Sequence, residues 1–362
     1  MNALIILAVF VAVSSVFGVL LRMFAVKKLS CLRRFSKTAV FEGEEGEMVE
    51  IVSNNSWMIV PWLRIESRVS PHLRFGKQDN LDVIGNMYHK SIFTLMPYQR
   101  ITRRHRVRFV HRGAFNVGNA SITAGDFLGV FQSTLEQNLD IGLLVYPRPL
   151  DENELPAPFS RLIGDCIVQR QLLRDPFMVS GIRPYQLGDN VRDIHWQATA
   201  RTGETQVRVH DFTAQTRLLV LVNTQLSEKQ WGNLMDYEQG PIEYAISMAA
   251  TLCVRALRAG LPAGFGANMP IGDSKECALT LPSGGAAREE ELLAAFARMR
   301  VIRLCSFNAF LDGLRSLSGL DIVILSCYES EMMNKRIEAL RLRGNTVRLY
   351  QIETGEVRYD DY

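Results

Sequence analysis

The chain opens with an uninterrupted apolar run from Ala3 to Leu21 that contains no charged residue. As a helix this run is about 28 Å long, close to the ~30 Å hydrocarbon core of a bilayer. The basic residues of its flanks all follow it, namely Arg22, Lys27, Lys28, Arg33 and Arg34. The positive-inside rule then places the N-terminus outside the cell and the C-terminal side in the cytoplasm. The pattern therefore predicts a single-pass protein of the cell membrane, with residues 1–37 as anchor and basic juxtamembrane segment.

A cleaved signal peptide and a buried core helix are the two alternatives for this run. A signal peptide has basic residues before its apolar core and a small-residue cleavage site after it. Here the basic residues are on the other side, and Arg22-Met23-Phe24 follows directly. A terminal, uninterrupted apolar run of this length is unusual for a core helix, so both alternatives fit less well than a retained anchor.

Residues 38–146 show the period-two alternation of half-buried strands. Apolar or small residues at 63, 65, 67 and 69 alternate with Arg64, Glu66 and Arg68, and Ile101 to Val110 is a second candidate strand. Glycines and the pair Asn54-Asn55 supply turns between such runs. Several short strands with regular turns predict an antiparallel β-sandwich.

From residue 217 onward, short apolar runs alternate with amphipathic ones. Strands are predicted at 218–222, 261–265, 321–326 and 346–352, and helices at 243–258, 289–299 and 331–342. Alternating strands and helices favour a mainly parallel, doubly wound sheet over residues 217–362. Residues 147–216 are predicted to be a linker, rich in proline over 147–158, followed by a distinctive charged and aromatic segment. The predicted fold class is thus a membrane-anchored α+β multidomain protein.

Composition narrows the class of function. A net charge of +3 over 362 residues is too small for a typical nucleic-acid-binding protein, so no nucleic-acid partner is expected. The six cysteines stand singly, without a C-x-x-C pair, which argues against a disulfide scaffold and a structural zinc site. No nucleotide-binding motif is present, and no cofactor is expected.

The most distinctive segment is YQLGDNVRDIHWQATAR, residues 185–201. Together with Arg183 it resembles the bacterial family known as domain of unknown function fifty-eight. The resemblance rests on the spacing of Arg183, Tyr185, Gly188, Asp189, Arg192, Ile194, His195, Trp196, Ala200 and Arg201. A further likeness runs from His111 to Gln132; its Asp126-Phe127-Leu128-Gly129 step is not a kinase signature, because the other kinase motifs are missing.

The resemblance implies a von Willebrand factor A-like C-terminal domain and an association with MoxR-type AAA+ ATPases. Domains of that fold often bind a divalent cation through an Asp-x-Ser-x-Ser step after the first strand and a later aspartate. Strand alignment places Asn223, Gln225 and Ser227 on that step and Cys327 at the later position. Hard cations need oxygen ligands, preferably charged ones, and Cys327 offers soft sulfur. A degenerate site that holds no metal is therefore expected.

Two functions of different classes remain for the 183–201 segment. Asp189, Asp193 and His195 lie close in sequence, as a hydrolase site would require, but no G-x-S-x-G nucleophile motif accompanies them. Alternatively, Gly188-Asp189 forms a turn, the arginines pair with carboxylates, and Trp196 is an aromatic anchor. The second interpretation, a non-enzymatic adaptor or scaffold acting through protein–protein contacts, is the expected function.

The arginine-rich stretch from Arg100 to Arg112 has two functional interpretations and one structural one. Its members are Arg100, Arg103, Arg104, Arg106, Arg108 and Arg112, with His105 and His111 among them. They could face the anionic cytoplasmic leaflet, because the domain follows a short membrane tether. They could alternatively bind nucleic acid, although few aromatic residues stand among them and the rest of the chain is not basic. They could equally be the solvent face of one strand.

Overall fold

The computed structural model describes residues 2–76, 81–84, 88–126, 131–157, 159–161, 164, 179–186, 189–210, 217–230, 232, 234–235 and 238–352. Gly188 of the predicted turn, Phe127 to Gly129, and Cys166 lie outside the described residues. The chain divides into two compact units, an N-terminal unit of Met1–Arg148 and a C-terminal unit of Pro149–Tyr362.

The apolar run forms helix α1 (Asn2–Leu20), which continues as one π-helical turn, Leu21–Ala25, and one 3₁₀ turn, Val26–Lys28. The segment Val9–Lys28 is long and apolar enough to cross a membrane, with a mean hydropathy of 2.2. Only 22% of it is buried within the protein. Leu21, Ala25 and Val26, by contrast, are buried in the core of the N-terminal unit.

The N-terminal unit contains two sheets. Its strands are β1 (Leu29–Phe35), β2 (Ala39–Phe41), β3 (Glu45–Asn54), β4 (Val60–Arg68), β5 (Leu73–Phe75), β6 (Leu81–Ile84), β7 (Tyr88–Leu95), β8 (Arg100–Phe109), β9 (Gly113–Gly125) and β10 (Gln132–Tyr146). One sheet has the order β1-β3-β8-β5 and the other β2-β10-β9-β4-β7-β6. The pairs are antiparallel except that β2 runs parallel to β10, a departure from the all-antiparallel expectation.

The period-two pattern explains how these strands are buried. In β4, Leu63 and Ile65 are fully buried, while the charged residues that alternate with them, Arg64 and Glu66, are partly exposed. These side chains join Val52, Phe93 and Ile122 in one apolar cluster. A second cluster forms around Met48, Val107 and Phe109.

The C-terminal unit contains a two-stranded antiparallel sheet, β11 (Val179–Pro184) and β12 (Gln206–His210), with a 3₁₀ turn, Val191–Asp193, and helix α2 (Trp196–Thr202) between them. A five-stranded sheet follows. Its strands are β13 (Leu218–Val222), β14 (Ala263–Ala267), β15 (Ala278–Ser283), β16 (Asp321–Ser326) and β17 (Thr346–Gln351), in the order β15-β14-β13-β16-β17. All pairs are parallel except β14 with β15.

Helices α3 (Gly240–Arg258), α4 (Arg288–Arg298), α5 (Phe307–Gly313) and α6 (Glu331–Arg341) connect these strands. Strands β13 and β16 are buried along their whole length, which explains why they read as continuous apolar runs without alternation. Helix α6 begins at Ser330, whose side chain accepts a hydrogen bond from the Met333 amide. The molecule is therefore mixed α+β, with an apolar N-terminal helix.

Candidate functional site: a rigid segment with an exposed aromatic side chain

The segment from Val179 to His210 folds as one small structural element. Strands β11 and β12 pair antiparallel, with Arg183 opposite Val207. Ile194 forms a bridge to the same Val207 from the other side. Of the described residues between the two strands, Ile194 and His195 are therefore held against β12.

A bidentate ion pair fixes the first turn of the segment. Arg183 Nη1 and Nη2 each donate to one oxygen of Asp189, both at 2.7 Å. The Gln186 amide donates to Asp189 Oδ2 at 2.8 Å. The hydrogen bond to Asp189 raises the pKa of the Arg183 guanidinium. Asp189 thus acts as a structural acceptor, and Arg183 is an arginine that pairs with it.

His195 begins helix α2 as its N-cap. Its Nδ1 accepts a hydrogen bond from the Ala198 amide at 3.1 Å, and its own amide donates to Gln206 O at 2.8 Å. The helix ends at Gly203, which adopts a left-handed conformation with φ of 75°. His195 and Gly203 together fix both ends of a seven-residue helix.

This rigid segment exposes several large side chains. Trp196, the first residue of α2, is 69% exposed, and Val191 is 66% exposed. The other exposed residues of the segment include Ile182, Tyr185, Arg192 and Arg201. The sequence does not decide whether Trp196 is buried or is an exposed anchor; in the structure its side chain is exposed. Tryptophan and arginine on a rigid support are typical of the residues that dominate binding at protein interfaces.

The hydrolase alternative depends on Asp189, Asp193 and His195. Both oxygens of Asp189 bind Arg183, and Nδ1 of His195 caps the helix. Asp193 lies in the 3₁₀ turn between them. In these contacts Asp189 and His195 have structural roles.

The predicted degenerate metal positions lie at the carboxyl edge of the five-stranded sheet. Asn223 is fully buried; its Nδ2 donates to Ser326 Oγ at 2.9 Å and its Oδ1 accepts from the Gln225 amide at 3.0 Å. Gln225 Oε1 accepts from the Phe307 amide at 2.7 Å. Ser227 is exposed, and burial raises the pKa of Cys327 to about 11.

These donors do not fit a divalent cation. The amide oxygens of Asn223 and Gln225 are already engaged, and none of the four positions supplies a carboxylate. A protonated thiol at Cys327 is a poor ligand for Mg²⁺ or Mn²⁺. In the part of the chain that the structure describes, no three His, Cys, Asp or Glu side chains form a metal-binding group.

Two further members of this edge were not identified from the sequence. Asn268 accepts hydrogen bonds from the Thr224 amide and hydroxyl at 2.9 Å and donates to Cys305 O at 3.0 Å. Ser326 accepts from Asn223 and donates to Tyr328 O. The available signal was positional: Asn223 and Asn268 directly follow β13 and β14, and Ser326 ends β16.

We expect the C-terminal unit to be independent of divalent ions. A cation that binds only the folded state raises the melting temperature by mass action. Millimolar Mg²⁺ or Mn²⁺, compared with a chelator, should leave the melting temperature of the full chain in detergent unchanged. A saturable rise in melting temperature would show that the ligand positions were misassigned.

Strand β8 places the arginines of the arginine-rich stretch on both of its faces. Alternate residues Arg100, Arg104, Arg106 and Arg108 are exposed. Arg103 points inward, with its guanidinium 3.9 Å from the centre of the Phe93 ring, and burial lowers its pKa. Arg112 is 8% exposed. The stretch therefore does not form one continuous basic surface.

Comparison with known proteins bears on the C-terminal unit most directly. Residues 181–295 match the model of the family described as "Protein of unknown function DUF58". The matched region contains the segment Arg183 to Arg201 but not the stretch His111 to Gln132, to which the likeness in sequence also extended. None of the curated proteins matches the chain.

Solved structures with local similarity include the CARDB domain of the PF1109 protein from Pyrococcus furiosus, at 14% identity, covering 33% of this chain and 94% of that one, with a TM-score of 0.22. Native alpha-2-macroglobulin from Escherichia coli, from domain MG7 to its C-terminus, is 12% identical over 32% of this chain and 23% of its own, with a TM-score of 0.25. A non-cellulosomal cohesin from Archaeoglobus fulgidus is 10% identical over 32% of this chain and 91% of its own, with a TM-score of 0.23. Similarities at these TM-scores carry no argument about the fold or function.

Proposed function

We propose that this protein is a membrane-anchored cytoplasmic adaptor or scaffold that acts through protein–protein contacts. The observation that carries the proposal is the exposure of Trp196, at 69%, on a segment fixed at both ends. An exposed tryptophan contributes little to its own fold, whereas burying it on a partner removes a large apolar surface from water. The Arg183–Asp189 pair and the His195 cap reduce the entropy that binding would otherwise cost.

The order of the strands supports a more specific proposal for the type of domain that each unit forms. A parallel sheet with the order β15-β14-β13-β16-β17 and one antiparallel edge strand is compatible with a von Willebrand factor A-like domain. The two sheets of the N-terminal unit are compatible with a β-sandwich. The partner we propose, from the family resemblance, is a MoxR-type AAA+ ATPase.

The proposal is tested by recovering the tagged full chain in detergent from its own host. The expected result is co-purification of a MoxR-type AAA+ ATPase, identified by mass spectrometry. A folded chain that recovers no such ATPase contradicts the partner.

Variants at His195 separate the adaptor from a hydrolase. Serine can replace the N-cap function of His195 but has no imidazole, whereas alanine removes the cap at a cost of about 1 kcal/mol. We expect His195→Ser to fold and bind its partner like the wild type. A variant that does both, yet loses a hydrolytic turnover that the wild type shows, would establish the enzyme instead.

The proposed orientation places Met1 outside and both units in the cytoplasm. It is supported by Arg22, Lys27 and Lys28, which follow α1, since basic residues are retained on the cytoplasmic side. Protease added to intact spheroplasts should therefore leave both units uncut. Their digestion from the outer face, with a cytoplasmic marker protein still intact, would reverse the orientation.

A further inference from the structure

One end of the N-terminal unit surrounds the point where α1 enters it. Strand β1 starts there, opposite the end of β3, with Leu29 paired to Asn54. The turn between β3 and β4, the turn between β7 and β8, and the end of the β9–β10 hairpin lie at the same end. The register shows this, since Ser53 pairs with Arg100, Val60 with Leu95, and Gly125 with both Trp62 and Gln132. We call residues 21–28, 55–59, 96–99, 126 and 131 the anchor end.

Helix α1 is packed against this end over several turns. Ser14 Oγ donates to Asp126 Oδ2 at 2.5 Å. Gly18 lies so close to Phe131 that an added Cβ would stand 2.6 Å from the Phe131 Cβ. Leu21 and Ala25 are buried in the apolar core of the unit. The packed part of the helical segment thus runs from Ser14 to Ala25.

The candidate membrane span overlaps the packed part of the helix. The segment that is long and apolar enough to cross a membrane, Val9–Lys28, contains Ser14 to Ala25. Residues of the span are therefore themselves packed against the anchor end. Val16, Val19 and Met23, on the side of the helix that the unit leaves uncovered, are each more than half exposed. If the helix crosses the membrane, the anchor end consequently contacts the bilayer.

The side chains of the anchor end suit that position. Trp57 is 57% exposed and Tyr98 is 72% exposed. Trp57 lies 6.3 Å from Phe24, between ring centres. Met96 and Phe131 are also exposed. Tryptophan and tyrosine are the residues enriched at both membrane–water interfaces.

The turns that carry these aromatic side chains are held together. Fully buried Asn54 donates through Nδ2 to Met58 O at 2.8 Å and to Met96 O at 3.0 Å. The Tyr98 amide donates to Ser56 O at 3.1 Å. Trp57 and Tyr98 are therefore presented on one firm surface beside the helix.

The charge of this surface has one sign. Arg22, Lys27 and Lys28 are exposed, and Arg100 stands next to the β7–β8 turn. The only carboxylate among the described residues of the anchor end is Asp126, which is fully buried and accepts hydrogen bonds from Ser14 and the Phe131 amide. Exposed cations around aromatic side chains complement anionic lipid headgroups.

We propose that the anchor end is a second membrane-binding surface, which sits in the headgroup region of an anionic bilayer around helix α1. This inference rests on the proposed membrane anchoring. Trp57, Tyr98 and Phe131 contact the lipid in this arrangement, and the arginines of β8 contribute little to membrane binding. Arg108 lies about 27 Å along the strand from Arg100, well beyond the ~8 Å screening length at physiological salt.

The test uses the full chain in vesicles of phosphatidylcholine and phosphatidylglycerol with brominated acyl chains, because bromine quenches nearby tryptophan fluorescence. The wild type is compared with Trp57→Phe and with the matched control Trp196→Phe, an exposed tryptophan of the other unit. We expect quenching that Trp57→Phe largely abolishes and Trp196→Phe preserves. Quenching should be stronger with bromine near the headgroup than near the chain end.

Failure of this inference and failure of the anchor give different results. Release of the chain from vesicles by alkaline carbonate contradicts the membrane anchor, and with it the membrane contact of the anchor end. If the chain is retained but Trp57→Phe does not change the quenching, only the membrane contact of the anchor end is contradicted. Trp57 that is unquenched by bromolipid yet shielded from iodide would instead contact protein, which also overturns it.

Discussion

Replacing Glu50 with alanine is expected to lower the free energy of unfolding of the N-terminal unit by about 3–5 kcal/mol. Glu50 is fully buried and binds Arg33, which is 3% exposed, with Arg33 Nε donating to Glu50 Oε1 at 2.7 Å. His105 Nε2 lies 3.3 Å from the other oxygen, Oε2. Removing the carboxylate leaves a buried guanidinium without its counter-charge, which is among the costliest single changes in a protein interior.

Urea unfolding of the full chain in mild detergent, followed by proteolysis at peptide resolution, would report the two units separately. Glu47→Ala is the matched control, because Glu47 lies on the same strand and faces solvent, 3.8 Å from exposed Arg104. That change should cost less than about 1 kcal/mol. If Glu50→Ala were no more destabilising than Glu47→Ala, the buried ion pair would not stabilise this unit. Glu50→Gln keeps the size of the side chain and should still lose much of the stability, since the charge is what Arg33 requires.

Replacing Trp196 with alanine is expected to weaken partner binding by about 2 kcal/mol or more, roughly 30-fold in dissociation constant. The unfolding of the C-terminal unit should barely change, because the side chain is 69% exposed. A buried tryptophan would instead cost about 3–5 kcal/mol of stability on the same substitution. Binding of the purified chain to the proposed ATPase partner, together with a melting curve, measures both effects.

Leu342→Ala is the control for Trp196→Ala. Leu342 is 88% exposed in the same unit, and it lies outside the 179–210 segment. Its replacement should change neither binding nor melting temperature. Equal partner affinity of Trp196→Ala and the wild type would remove Trp196 from the interface, and a large fall in melting temperature would mean that the ring packs in the fold.

The hydrophobic pattern predicted the helices and strands that bury a single continuous face or run of side chains. Apolar runs identified β13 and β16, and 3.6-residue periodicity with caps identified α6, because each of these buries one contiguous set of side chains. Strand β15 and helix α5 were not predicted. Each is short, and the pairing of β15 with β14 is decided by tertiary contact and not by local sequence.

The sequence identified the residues of the candidate site but not their contacts or their exposure. The spacing of Gly188-Asp189 indicated a turn, yet it could not show that Arg183, on the preceding strand, would be the arginine that reaches Asp189. Nor does spacing distinguish a buried from an exposed Trp196. That difference depends on what covers the first turn of α2, which is a property of the folded chain.

The middle strand of the five-stranded sheet has a consequence for synthesis of the chain. Strand β13 lies between β14 and β16, and Leu218 pairs with Asp321, about a hundred residues later. On the ribosome, β13 therefore emerges long before one of its two neighbours exists. Until β16 follows, five apolar residues present an open strand edge that another nascent chain could pair with. A ribosome stalled before residue 321 should therefore carry a C-terminal unit that aggregates, although most of its helices have already been made.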